Sequence, residues 1–298
     1  MLASFLTTLF FALSVIFASR SVRILGGQAA NLARMGIALA LLGAWAATLG
    51  HGGTRAAFPW FFLSGAIGFG FGDIALFLAL GRIGPRLTIL LVQCLAAPIG
   101  AVVERVWLGT TLTGSQIACS AVILAGVAIA LAPTHRRAGE HGASGTGVIF
   151  GVLAALGQAL GAVISRKANA VAALAHLVPD GGTAAFQRMT GGLLVTAIFY
   201  ALLMAVPRRD RKIPAAEGRW RRGWPWVVLN ALAGPTIGVA CYQWALATAP
   251  GGVVLSIVAT TPVVTMPLAF LIVGDRPPRL SIIGGVLAVA GAVALTLV

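Results

Sequence analysis

The chain has 298 residues, 59% of them hydrophobic and only 9% charged, with a mean hydropathy of +0.97. Soluble domains carry about 25% charged residues, so a water-soluble core holding this much apolar sequence is excluded and lipid must be the solvent. The net charge of +14 would suggest nucleic acid in a soluble protein, but 19 of the 21 basic residues are arginines set between apolar runs with little aromatic interleaving. That pattern reads as positive-inside anchoring, and no nucleic-acid partner is expected.

Ten apolar runs follow in chain order, at residues 2–18, 32–49, 60–80, 87–103, 117–131, 148–164, 184–206, 226–247, 253–273 and 282–298. Most approach the ~20 residues that cross a ~30 Å hydrocarbon core as a helix, and the short fifth run is expected to begin near Thr113. The alternating ten-residue segments of a membrane barrel are absent. The first run has no basic residue before it, and its Ser-Arg exit recurs after the sixth, so it reads as a helix of the body rather than a removable leader. The longest polar insert, residues 207–223 (PRRDRKIPAAEGRWRRG), is too short for a core of its own. Cys94, Cys119 and Cys241 lie inside apolar runs without CxxC spacing and read as small packing residues.

Residues 72–131 are echoed at 238–296. Ala79-Leu80 falls on Ala245-Leu246 at an offset of 166, and Ala125-Gly126 on Ala290-Gly291 at 165. Ser19-Arg20 matches Ser165-Arg166, and Arg34-Met35 matches Arg188-Met189. The chain thus reads as one half duplicated, with a first repeat at 1–134, a linker at 135–147 and a second repeat at 148–298. Five helices is an odd number, so the second copy must enter from the opposite side of the bilayer. The expected fold is all-α and integral to the membrane, with ten transmembrane helices in two five-helix inverted repeats, an arrangement that places substrate near the midplane between the halves. The odd-numbered links carry sixteen basic residues and the opposite side five, among them Arg55, Arg105, Arg166, Lys167 and Arg188. By that count both termini lie outside.

This organisation resembles an EamA-type permease of the drug/metabolite transporter superfamily, over essentially the whole chain. The motif behind the resemblance closes each repeat: Gly274-Asp275, Gly284, Gly285 and Ala290-Gly291 in the second copy, Gly109-Thr110 and Ala125-Gly126 in the first. The first copy departs from the motif, with Thr110 where an acid is usual and Glu104 six residues earlier. More weakly, the chain resembles the YddG-type amino-acid exporters. The resemblance implies a small metabolite, such as an amino acid, moved out of the cytoplasm across the inner (plasma) membrane, and it implies cytoplasmic termini, against the charge count.

Several residues could carry transport. Asp73 is the one acid well inside an apolar run, and an ionised Asp at a helix centre costs about 2.5–3.5 kcal/mol on insertion scales, so it should face a wet cavity or a partner. It could hold a proton or meet a substrate ammonium, or be a structural carboxylate paired across to a neighbouring helix or to Arg82. Gln93 and Gln158 stand near the midplane, where each could line the cavity or glue helices together. Tyr242 is the cavity candidate on the eighth helix, ahead of Gln243 and Trp244. Thr260, Thr261 and Pro262 interrupt the ninth helix, Pro98 the fourth and Pro235 the eighth, and paired interruptions point to a binding site or gate. The glycines of residues 65–72 (GAIGFGFG) sit in a membrane run and read as packing glycines, as do Gly147, Gly151, Gly157 and Gly161.

No catalytic constellation, metal-ligand spacing or phosphate loop occurs, so neither a cofactor nor ATP drive is expected. The sequence therefore reads as a secondary transporter, not an enzyme, with a small-molecule substrate and the lipid bilayer as partners and a monomer as the expectation. An intramembrane lipid-modifying enzyme and a passive channel are the alternatives.

Overall fold

The structure is a computed structural model that describes residues 1–131, 144–205, 218–273 and 279–298. Every regular element among them is helical, as expected where the bilayer supplies no partner for a free backbone group. Helix α1 (Leu2–Leu25) runs through Ser19-Arg20, the Ser19 and Ser21 hydroxyls donating back to the carbonyls of Ile16 and Ala18. Helix α2 (Gly27–Thr48) follows, then α3 (Phe58–Gly65), a π-helical segment (Ala66–Phe71) and α4 (Gly72–Leu108). Sequence reading expects a break between the third and fourth runs; the backbone stays helical through it.

Helix α4 ends at Gly109, whose φ of +69° suits glycine. Helix α5 (Gly114–Leu131) opens on a reciprocal cap: Gln116 N–H donates to Thr113 Oγ1 at 3.2 Å, and Thr113 N–H to Gln116 Oε1 at 3.1 Å. Helix α6 (Gly145–Leu174) continues ten residues beyond the expected end of its run, so Ser165-Arg166 lies inside a helix and not at an exit. Next come α7 (Gly181–Ala205), α8 (Arg219–Ala231), a second π-helical segment (Leu232–Gly238) and α9 (Val239–Thr248). Helices α10 (Gly251–Val258), α11 (Thr261–Val273) and α12 (Arg279–Leu295) complete the chain. The Gly274-Asp275 turn lies outside the described residues. Nine stretches of the described residues are long and apolar enough to cross a membrane, and α12 is a shorter apolar helix of 17 residues.

Glycines set the closest helix contacts. A Cβ on Gly157 of α6 would lie 2.6 Å from the Cα of Gly72, and one on Gly161 3.0 Å from that of Gly68. Helix α6 therefore rests backbone to backbone on the first π-helical segment and the start of α4, the small-residue packing that lets membrane helices approach. Helices α5 and α12 meet likewise: a Cβ on Gly126 would lie 2.5 Å from Ala288 N, and Ser281 Oγ donates to the Ala130 carbonyl at 2.6 Å.

The link between α2 and α3 is tied to the start of α7 by one carboxylate. Asp180 Oδ1 accepts from Gly182 N–H, Thr183 N–H and the Trp45 indole, and Oδ2 from His51 N–H and the Thr183 hydroxyl. Burial alone would push this carboxyl up. The hydrogen bonds from Thr183, His51 and Trp45 outweigh it and hold the pKa at about 2. A folded-state pKa below the unfolded value of about 3.9 gives stability that is present above pH ~4 and lost as pH falls toward 2. Asp180→Ala is expected to lower the thermal midpoint at neutral pH, an N-cap being worth about 1 kcal/mol. It should also flatten the midpoint-versus-pH curve over that acid window; a curve that keeps its wild-type slope would show that Asp180 is not its source.

Candidate functional site

Two adjoining cavities lie between the helices, of about 180 and 210 Å³. They share Phe11 of α1, Phe69 of the first π-helical segment, and Asp73 and Gln93 of α4. The first adds Gln158 of α6, Arg188 of α7 and Tyr242 of α9; the second adds Arg34 of α2, Pro235 of the second π-helical segment and Thr261 of α11. Both π-helical segments line this space. A π turn carries an extra residue in the hydrogen-bond ladder and re-aims the side chains around it, and such turns are frequent at functional sites.

Asp73 does not pair with Arg82, which donates to the Leu78 carbonyl and lies over the Phe150 ring. Its partner is Arg34, with Nη2 3.8 Å from Oδ2. That separation is too long for a hydrogen bond, so both groups keep capacity for a third. Arg34 is held in place by Asn31, whose Oδ1 accepts from its Nε at 2.8 Å.

Arg188 is 3% exposed. Its Nη1 donates to Gln243 Oε1 at 3.3 Å and to Ser165 Oγ at 3.4 Å, and Gln243 Nε2 donates to the same hydroxyl at 3.2 Å. Ser165 and Ser64 are 2.7 Å apart; because Ser64 donates to the Gly161 carbonyl, Ser165 is the donor between them. The guanidinium lies 4.7 Å from the Phe69 ring and 5.4 Å from that of Tyr242, both within cation–π range.

Among the residues singled out from sequence, Asp73, Gln93, Gln158, Tyr242, Thr261 and Pro235 line the cavities, and Gln93 Oε1 is buried without a partner among the described residues. Thr260 does not line them. It sits at the gap between α10 and α11, where its hydroxyl donates to the Ile257 carbonyl and satisfies a helix end. Pro262 falls in the first turn of α11, where its missing N–H costs nothing. Pro98 does not interrupt its helix: α4 is continuous through it, and the residue is exposed. Arg34, Arg188, Phe11 and Phe69 were not singled out. The Arg-Met echo at Arg34-Met35 and Arg188-Met189 was the available signal.

A second charged cluster lies apart from the cavity lining. Glu104 near the end of α4, 2% exposed, forms an ion pair with Arg166 of α6. Glu104 Oε2 accepts from Gly251 N–H at 2.6 Å, and Arg166 Nη1 donates to the carbonyls of Leu246 and Ala249. The pair thus satisfies the end of α9 and the start of α10.

Among the described residues, nine membrane-length helical stretches around a largely apolar cavity with a few polar groups in its wall are those of a multi-pass membrane protein. The model of the EamA-like transporter family matches residues 145–297, just over half of the chain, and the chain belongs to that family. It is therefore a membrane transporter of the drug/metabolite transporter superfamily, set in a lipid bilayer and binding small molecules. No curated protein matches the sequence. Of the solved structures, 29 chains match; one, described only as a crystal structure of protein, is 21% identical with a TM-score of 0.72, over 99% of this chain and 96% of that chain. At that identity the likeness shows the fold.

Proposed function

We propose that the protein is a secondary transporter of the inner membrane that exports small metabolites, such as amino acids, by alternating access. Ten transmembrane segments form two inverted five-helix repeats, the first at 1–134 and the second at 148–298, and the halves rock about the cavity between them. The observation that carries this reading is a cavity walled by two π-helical segments that stand at matching positions of the sequence echo. The π-helical segments begin at Ala66 and Leu232, an offset of 166 residues, the same as that of the sequence echo. The family match over 145–297 falls on the stretch read as the second repeat. Such π-helical turns are frequent at functional sites, and secondary transporters built of inverted repeats bind cargo between their halves.

Uptake of labelled amino acids and organic cations by proteoliposomes, with and without an imposed pH gradient, tests the reading. Saturable flux with counterflow supports it. Flux that never saturates would indicate a channel instead. Asp73 is the group placed to couple protons. Asp73→Asn is expected to leave the protein assembled in the membrane and to remove any response of uptake to the pH gradient. An unchanged response would leave Asp73 as the partner of Arg34 alone.

A further inference from the structure

Arg188 is a cation of the cavity wall without a contact ion pair among the described residues, with Tyr242 and the more distant Asp73 acting on it. Among the described residues no carboxylate lies within 4 Å of its nitrogens. Its two hydrogen bonds, to Gln243 and Ser165, are long and go to neutral acceptors, and its Nε has no partner. Arg34 differs, since it has both Asp73 and Asn31.

The surroundings are shaped to the group. A Cβ on Gly68 would lie 2.6 Å from Arg188 Nη2, and one on Gly161 3.1 Å from it. Gly65 admits the backbone of α7 at the same place, where a Cβ would collide with the Arg188 carbonyl. Bare backbone from the first π-helical segment and α6 thus makes a slot for the guanidinium, with the Phe69 and Tyr242 rings against it. The result is a preformed, desolvated cation in the wall of a small cavity, with the loosely paired Asp73 lining the same space.

We propose that Arg188 is the anion-recognition group of the cavity and that the cargo carries a carboxylate, an inference resting on the transport reading above. A guanidinium whose Nη2 carries no hydrogen bond among the described residues can donate to a carboxylate there. A cargo with an ammonium as well, an α-amino acid, would set that end toward Asp73.

The test uses the full chain in proteoliposomes. The probes are a panel of small α-amino acids, their α-amides, the matching monocarboxylic acids without the amino group and the matching amines without the carboxyl. Acid-bearing probes are expected to move or compete at least about tenfold better than amides and amines, a charged hydrogen bond being worth about 1.5–3 kcal/mol. Arg188→Gln should erase that preference, and Arg188→Lys should retain part of it. Gly68→Ala keeps the charge but crowds Nη2 and should weaken acid recognition without unfolding the helix, so the proposal stays open to test even where Arg188→Gln does not assemble. Amides or amines moving as well as acids, or an acid preference that survives Arg188→Gln, would overturn the assignment and leave the transporter standing. No movement of any probe would overturn both.

Discussion

Glu104→Ala is expected to lower the thermal midpoint of the detergent-purified protein by roughly 6–10 °C. Removing one member of a buried ion pair costs about 3–5 kcal/mol, and each kcal/mol moves the midpoint of a chain this large by about 2 °C. The cost is high here because two further losses follow. The Gly251 N–H gives up its acceptor, and the Arg166 guanidinium keeps the carbonyls of Leu246 and Ala249 but has no negative charge beside it. The double variant Glu104→Gln with Arg166→Met should recover part of the loss, since it removes the orphaned charge and leaves an amide oxygen for Gly251. A midpoint for Glu104→Ala within about 1 °C of wild type would mean the pair contributes like an exposed one. The pair joins α4 to α6 and to the connection between α9 and α10, so the same variant should loosen contacts across the two halves.

Gly157→Leu is expected to prevent stable assembly. Its side chain would have to enter where a Cβ already lies 2.6 Å from Gly72 Cα and 3.1 Å from Gly72 N. Those are backbone atoms of a neighbouring helix and cannot rotate aside. Overpacking usually costs about 1–3 kcal/mol when side chains can adjust, and a backbone wall puts this site at or above the upper end. Gly36→Ala is the control. Nothing lies within 4 Å of the position, and removing a helical glycine is worth up to about 1 kcal/mol. Size-exclusion profiles of the two variants should therefore diverge, with Gly157→Leu aggregated or absent and Gly36→Ala monodisperse with a midpoint equal to or above wild type. A folded Gly157→Leu protein would show that α6 does not rest on Gly72 as described.

Most of the fold was legible because lipid makes the pattern simple. Apolar run length reports crossing segments, and the glycine spacing at Gly157 and Gly161 reports a close contact whose partners, Gly68 and Gly72, were also visible as a glycine cluster. Asp73, Gln93, Gln158 and Tyr242 stood out because a polar group in an apolar run is expensive, and the structure gathers them in one place. Arg34 and Arg188 stood near run ends, where arginine ordinarily means an interfacial anchor, so both entered the orientation count. The structure moves them, with Arg166, to interior partners. Removing all three leaves the imbalance between the two sides standing. Proline misled at Pro98 because its cost depends on neighbours that sequence does not show, and at an exposed helix face the lost hydrogen bond is the whole of it. The π-helical turns were not legible, since no composition distinguishes them from α-helix.

In the duplication proposed, Arg34 and Arg188 are echoed arginines but Asp73 has no counterpart, for Val239 stands at the offset of 166 where a second copy would repeat it. The wall of the shared space therefore holds two guanidiniums against one carboxylate. In a carrier of the kind proposed, the empty form bears an unbalanced positive charge; a bound monoanion cancels it, whereas a zwitterionic amino acid leaves it in place. Membrane voltage, worth about 2.3 kcal/mol per unit charge per 100 mV for a full crossing, then acts on the unloaded return step for either cargo and on the loaded step for the zwitterion alone. A cell's resting potential would set the pace of resetting in both cases, and of delivery only for the zwitterion.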